Sequence, residues 1–215
     1  MTLSSAAGLL QAKLDVRPCA LMSADATRLL VLGATRQEGS ATGYAIMREL
    51  ISWGVEDWAS VNPGSIYGAL RALAKEGLLV EDSEPPAAGG RSRRNSKRYR
   101  LTDEGSSAFT DLLRRALWEV DPYQGTPFLA ALCFLVDLTR DEVLAAIEER
   151  ITRLDSLQRQ LSFDEKQTVL DTAKRPPHSV EFVRLATARL DGERTFTGTL
   201  LDRIRNGAYT FAGDG

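Results

Sequence analysis

The chain has 215 residues, of which 43% are hydrophobic and 26% charged, and a formal net charge of −2; this excludes a disordered or collagenous chain and leaves room for one large domain or two modest ones. Cys19 and Cys133 lie too far apart in sequence to suggest a disulfide framework or a zinc site, and His178 beside a double proline has no second ligand at metal-binding spacing. The longest apolar run, Phe128 to Val136, is too short to span a membrane, and Met1 to Ala24 lacks the layout of a secretory signal, so no membrane partner is expected and the expected compartment is the cytoplasm.

Residues 1–23 carry Leu9, Leu10 and Leu14 ahead of Arg17-Pro18, a pattern that suits either a short helix or a loose arm. A first helix is expected over 24–36 with Leu29, Leu30 and Val31 toward a core, and a second over 42–53 with Ile46, Met47 and Leu50. The third is marked at both ends: Asn62 suits the N-cap, Pro63 the first helical position and Gly77 the position just past the end. Ile66, Leu70 and Leu73 then form one buried stripe, which turns Gly64, Gly68, Arg71, Ala72 and Lys75 the other way, with Ser65 and Tyr67 on the flanks.

A strand over 78–84, a loop over 85–95 and a returning strand over 96–101 make a hairpin. Thr102-Asp103-Glu104-Gly105 opens a helix whose apolar face, from Ala108 through Leu112, Leu113 and Leu117 to Val120, exceeds what one small head needs. Asp121-Pro122 and Gly125-Thr126-Pro127 interrupt the pattern. The expected domains are therefore an N-terminal extension over 1–23, a head over 24–120 and a helical second domain over 121–215. In the latter, 128–138 reads as a short buried helix, and Thr139 to Glu142 is a capping box that opens a long one. Val143, Ile147, Ile151, Leu154 and Leu161 recur near every 3.5 residues, as in the seam of a coiled-coil-like pair. After Lys174-Arg175-Pro176-Pro177 a last helix carries Val183, Leu190, Leu201 and Ile204.

The small net charge conceals an uneven distribution. Arg91, Arg93, Arg94, Lys97, Arg98 and Arg100 fall between Pro85 and Thr102 with no acidic residue among them, whereas residues 121–215 hold 12 basic and 15 acidic side chains. Phosphates respond to such local density. Three short helices followed by a hairpin with a basic tip are the order of a winged helix-turn-helix, so the expected fold is mainly α with a small β-hairpin wing, plus a helical C-terminal dimerisation domain. A helix of this kind enters the major groove while the wing follows the backbone.

The run Asn62-Pro63-Gly64-Ser65-Ile66-Tyr67-Gly68-Ala69-Leu70-Arg71-Ala72-Leu73-Ala74-Lys75-Glu76-Gly77-Leu78 resembles the PadR family of bacterial transcriptional regulators. The family pattern is echoed in Leu32-Gly33, in Gly43-Tyr44 and in Tyr99-Arg100-Leu101-Thr102-Asp103-Glu104-Gly105, together covering roughly residues 25–110. The chain departs from it in having Thr42 where His usually precedes Gly-Tyr, and Gly68 where Pro often follows the Tyr. The resemblance implies a homodimer on a pseudo-palindromic double-stranded operator, with two reading helices about 34 Å apart, and a repressor relieved by a small, often aromatic, effector.

The candidate DNA-binding residues are Ser65, Tyr67, Gly68, Arg71 and Lys75 in the third helix, Thr42 and Tyr44 at the start of the second, and Arg91, Arg93, Arg94 and Lys97 in the wing. Arg71 is the candidate for base edges, and Ser65 and Lys75 are candidates for the backbone. Tyr67 suits either a DNA contact or the rim of the core. Leu112, Leu117, Val143, Ile147, Ile151, Leu154 and Leu161 are candidates for the dimer interface. Trp53, Trp58 and Trp118 suit an effector pocket or, more commonly for large aromatics, plain core. No Gly-rich phosphate cradle, nucleophile elbow or supported carboxylate pair is present, so neither catalysis nor a cofactor is expected. Two other readings compete: a winged helix used for protein–protein assembly, and a small-molecule-binding or catalytic protein with its site in the second half.

Overall fold

The computed structural model describes the backbone of residues 19–83, 97–170 and 176–214, and the side chains of residues 24–82, 97–166 and 176–214. It forms two compact units, divided after Leu113.

In the first unit, α1 (Cys19–Glu38), β1 (Ala41–Thr42), α2 (Gly43–Ser52), the single turn α3 (Val55–Trp58) and α4 (Pro63–Lys75) precede a ribbon of β2 (Leu79–Ser83) and β3 (Lys97–Leu101). The helix expected from residue 24 begins at Cys19, because Ala20, Leu21 and Met22 are strong helix formers that extend it backward. Neither β1 nor α3 was expected, since elements of two and four residues are too short to show a period. The antiparallel sheet has the order β1-β3-β2, with Ala41 opposite Tyr99 and Thr42 opposite Arg98. The expected loop over 85–95 lies outside the described residues.

Helix α1 passes through the middle of this unit: every residue from Leu29 to Thr35 is buried. Thr35 satisfies its hydroxyl on the Val31 carbonyl at 2.7 Å. Ile46 and Leu50 of α2, Ile66, Leu70 and Leu73 of α4, and Phe109 and Leu113 of α5 (Asp103–Trp118) are likewise fully buried. Each fully buried apolar side chain contributes about 1.5–3 kcal/mol.

Thr102 ties α5 to the end of α4. Its hydroxyl donates to the carbonyl oxygen of Gly77 at 2.9 Å and accepts from the Gly105 amide at 2.9 Å. An uncapped first-turn amide is thereby satisfied, as the Thr-Asp-Glu-Gly sequence predicts.

The second unit contains the end of α5, α6 (Thr126–Leu132), a 3₁₀ turn over Leu135–Asp137, α7 (Arg140–Leu170), a 3₁₀ turn over Pro177–Ser179 and α8 (Val180–Arg205). The helix expected over 128–138 is thus two shorter pieces. The capping box at Thr139 is present: the Glu142 carboxylate accepts from the Thr139 amide at 3.0 Å and hydroxyl at 2.8 Å. Helices α7 and α8 run antiparallel, joined by Glu148–Arg205 (2.7 Å), Asp155–Arg194 (2.7 Å) and Glu165–Arg184 (2.9 Å). Leu154 and Leu161 of α7 pack with Val183, Ala186 and Leu190 of α8. Arg150, 1% exposed, donates to the Leu117 carbonyl at 3.2 Å and the Glu119 carbonyl at 2.5 Å, pairs with Glu193 and lies 3.7 Å from the Phe128 ring centroid. It thereby caps the C-terminus of α5, where a cation complements the helix dipole. No helix of the described residues is long and apolar enough to cross a membrane.

Candidate nucleic-acid interface

Helix α4 is fixed at its start by Asn62, whose side chain accepts from the Ser65 amide at 3.0 Å while the Ser65 hydroxyl accepts from the Asn62 amide at 2.9 Å. The Ser65 hydroxyl also donates to the Asn62 carbonyl at 2.7 Å. Ser65, expected to meet the DNA backbone, therefore spends both its amide and its hydroxyl on the cap. At the other end, Arg28 of α1 holds the C-cap residue Glu76 with two bonds of 2.9 and 2.6 Å. This pairing lowers the Glu76 carboxyl pKa and raises that of the Arg28 guanidinium.

With Ile66, Leu70 and Leu73 buried, Arg71 and Lys75 project from the opposite side, exposed and without an ion pair to any described residue. A Cβ at Gly68 would meet nothing within 4 Å, so the fold itself does not require glycine there. Gly43 is different: a Cβ would come within 3.0 Å of Tyr67 Cε1 and 3.3 Å of Leu70 Cδ1. The Gly43-Tyr44 pair thus lets α2 approach α4 closely, and Tyr67 covers that contact at the rim of the core while remaining 37% exposed. Tyr44 is 61% exposed in the first turn of α2. Thr42 caps that helix, accepting from the Ala45 amide at 3.2 Å.

Arg91, Arg93 and Arg94 lie outside the described residues. The cations of β3 are already engaged: Lys97 Nζ sits 2.5 Å from Glu81 Oε2, Arg100 lies 3.8 Å from Asp82, and Arg98 donates to the Ser40 carbonyl at 2.5 Å. Hydrogen bonding to Glu81 raises the Lys97 pKa. Glu81 and Asp82 were missed from sequence because they precede the basic run, and only the strand register sets them against it. A groove of about 500 Å³ between α4 and β2 is lined by Arg71, Ala74, Lys75, Leu79, Val80 and Glu81.

The residues expected at a dimer interface need correction. Val143, Ile147, Leu154, Leu161 and Leu117 are 0% exposed and Leu112 is 9% exposed within the single chain; Ile151 is half-buried. For Leu154 and Leu161 the seam predicted from spacing is filled by α8 of the same chain, so these side chains have no surface left for a second copy. The half-bare apolar side chains of this unit include Phe182, Leu185 and Phe196 of α8.

The three tryptophans divide between the units. In the first, Trp53 donates to Glu49 at 3.0 Å and Trp58 to the Trp53 carbonyl at 3.0 Å. In the second, the Arg153 guanidinium stands 4.1 Å from the Trp118 ring centroid. All three are half-buried and engaged with their neighbours. Among the described residues no group of three His, Cys, Asp or Glu side chains is placed to hold a metal.

Residues 31–111 match the model of the "Transcriptional regulator PadR-like family". No curated protein matches the chain. Similar solved structures include Bacillus subtilis PadR in complex with operator DNA (20% identity, 82% of this chain and 98% of that one, TM-score 0.35). Others are smu.1604c from Streptococcus mutans UA159 (20%, 81% and 98%, 0.36) and Bacillus subtilis PadR in complex with p-coumaric acid (20%, 84% and 99%, 0.33). The TM-scores are too low for whole-chain superposition to carry weight, whereas the matched segment runs from the middle of α1 through the capped α4 and the ribbon into α5. Residues 31–111, and thus the capped α4 and the ribbon, are what the chain has in common with the PadR-like family of transcriptional regulators.

Proposed function

We propose that the protein is a sequence-specific DNA-binding regulator that lays α4 in the major groove and acts in the cytoplasm as a homodimer on a pseudo-palindromic operator. The observation that carries this reading is the outer face of α4. Arg71 and Lys75 stand exposed, with no ion pair to a described residue, beside an open Gly68, on a helix fixed by its cap at one end and by Arg28 at the other. A guanidinium on such a face pairs bidentately with guanine, and an ammonium neutralises phosphate. The match of residues 31–111 to the PadR-like family model supports repression relieved by a small aromatic effector.

Dimerisation falls to the second domain, over 121–215, and within it to the outer strip of α8. Phe182, Leu185 and Phe196 lie within a sector of about 60° on that helix. The two phenylalanine rings are held in place, Phe182 stacked on Tyr123 at 5.0 Å and Phe196 edge-on to Phe128 at 6.2 Å, yet all three residues are 41–54% exposed. Ordered and half-bare apolar side chains in one strip suit a partner surface. Two linked heads then gain effective concentration on paired half-sites.

The test is binding of the full chain to the duplex upstream of its own coding region at stated salt, with a random duplex as control. The expected result is affinity at least 10³-fold tighter for the upstream duplex, the lower bound of specific readout. Equal affinity for both duplexes would refute sequence-specific regulation at that site.

A further inference from the structure

Across the β2–β3 ladder Glu81 lies opposite Tyr99 and Ser83 opposite Lys97. Glu81 and Lys97 are therefore diagonal neighbours on one face of the ribbon, a geometry within reach of long side chains. It is the inner face, because Tyr99 and Leu79 on the same side are buried. Asp82 and Arg100 belong to the other face.

Glu81 also lines the groove beside α4 with Arg71 and Lys75. Among the described residues that line this groove Glu81 is the carboxylate beside two cations, and it holds Lys97 at 2.5 Å while Arg71 and Lys75 make no ion pair to a described residue. An exposed pair of this kind stabilises a fold little, whereas a carboxylate facing a polyanion opposes association.

We propose that Glu81 is an affinity-attenuating residue that withholds Lys97 from phosphate, lowering affinity for DNA of every sequence alike while leaving the base contacts of α4 intact. The proposal rests on the DNA-binding reading above. Non-specific affinity comes from the cations that neutralise phosphate, and each contributes about 0.9 to the slope of log affinity against log salt. An ammonium already held by a carboxylate releases no counterion, so Glu81 removes one contact from the sequence-independent part of the binding energy and weakens binding to cognate and random DNA alike.

The test uses the full chain and a random-sequence duplex longer than two helical turns, titrated between about 50 and 200 mM salt. Glu81→Gln steepens the slope by about 0.9 and tightens binding several-fold. Glu81→Ala, which also lacks a hydrogen-bonding amide, does the same. Lys97→Gln keeps the wild-type slope, the double variant returns to it, and Asp82→Asn leaves it unmoved. Melting curves of each variant confirm that the fold is retained. A wild-type slope in both Glu81 variants overturns the proposal. So does a flatter slope in Lys97→Gln, a gain retained in the double variant, or equal steepening in Asp82→Asn. Absence of all DNA binding by the wild type refutes the DNA-binding reading itself, and this proposal with it; binding whose slope ignores Glu81 refutes the proposal alone.

Discussion

Gly105 lies directly beneath the carbonyl of Leu78, so close that a Cβ at this position would overlap the carbonyl oxygen. The first turn of α5 can rest on the end of α4 only because residue 105 has no side chain, and the Thr102 hydroxyl completes the junction through Gly77. Gly105→Ala must push two backbone segments apart. We expect a loss of about 1–3 kcal/mol, typical of overpacking, and a melting temperature lower by roughly 2–4 °C per kcal/mol for a chain of this size. An unchanged melting temperature would show that the junction yields without cost.

Gly68 offers the opposite case. A Cβ there meets open space, so Gly68→Ala should stabilise the helix by about 0.5–1 kcal/mol through propensity alone. If the outer face of α4 lies against DNA, the same methyl should weaken binding to the upstream duplex. Thermal melting and a binding titration of one variant check both halves, and binding unchanged in the stabilised variant would place Gly68 away from DNA.

Arg71 and Lys75 should separate by sequence dependence. Arg71→Ala is expected to cost about 1–3 kcal/mol on the cognate duplex and less on random DNA. Lys75→Ala should weaken both alike and reduce the salt slope by about 0.9. Equal losses from Arg71→Ala on both duplexes would make Arg71 a backbone contact.

Oligomeric state should respond to the outer strip of α8 and not to the inner seam. Phe182→Glu with Leu185→Glu is expected to yield folded monomers by analytical ultracentrifugation. Leu154→Ala, inside the packed seam, should instead cost about 2–5 kcal/mol of stability and leave the dimer intact at temperatures where the protein stays folded. A double Glu variant that remained dimeric would move the interface elsewhere.

Glu142 links stability to acid. The Arg114 guanidinium, with the Thr139 amide and hydroxyl, lowers the Glu142 carboxyl from 4.5 to about 2. Because the folded value lies below the unfolded one, its stabilising effect is complete above pH 4.5 and is lost as pH falls from there toward 2. Glu142→Gln should therefore lower the melting temperature at neutral pH and flatten its decline across that window. A variant whose melting temperature falls with acid as steeply as that of the wild type would exclude Glu142 as the linked group.

Much of this protein is legible in short stretches of sequence, because the signals concerned act within one or two helical turns. Asn62-Pro63 and Thr139 to Glu142 announce helix starts through caps closed by residues three positions away, and Ile66, Leu70 and Leu73 define the buried stripe of α4 by spacing alone. That stripe in turn determines that Arg71 and Lys75 face outward. Other features depend on segments that meet only after folding. The spacing of Val143, Ile147, Ile151, Leu154 and Leu161 suggests a seam, but periodicity describes one helix and not its partner, and α8 of the same chain packs on that seam at Leu154 and Leu161. The run from Arg91 to Arg100 shows its positive charge, while the register that sets Glu81 against Lys97 joins residues on separate strands, so the pairing of Lys97 is decided by the ladder. Gly43 and Gly105 are likewise ordinary glycines in sequence; the close approach of Tyr67 to one and Leu78 to the other, created by tertiary packing, is what makes a side chain impossible or costly at each.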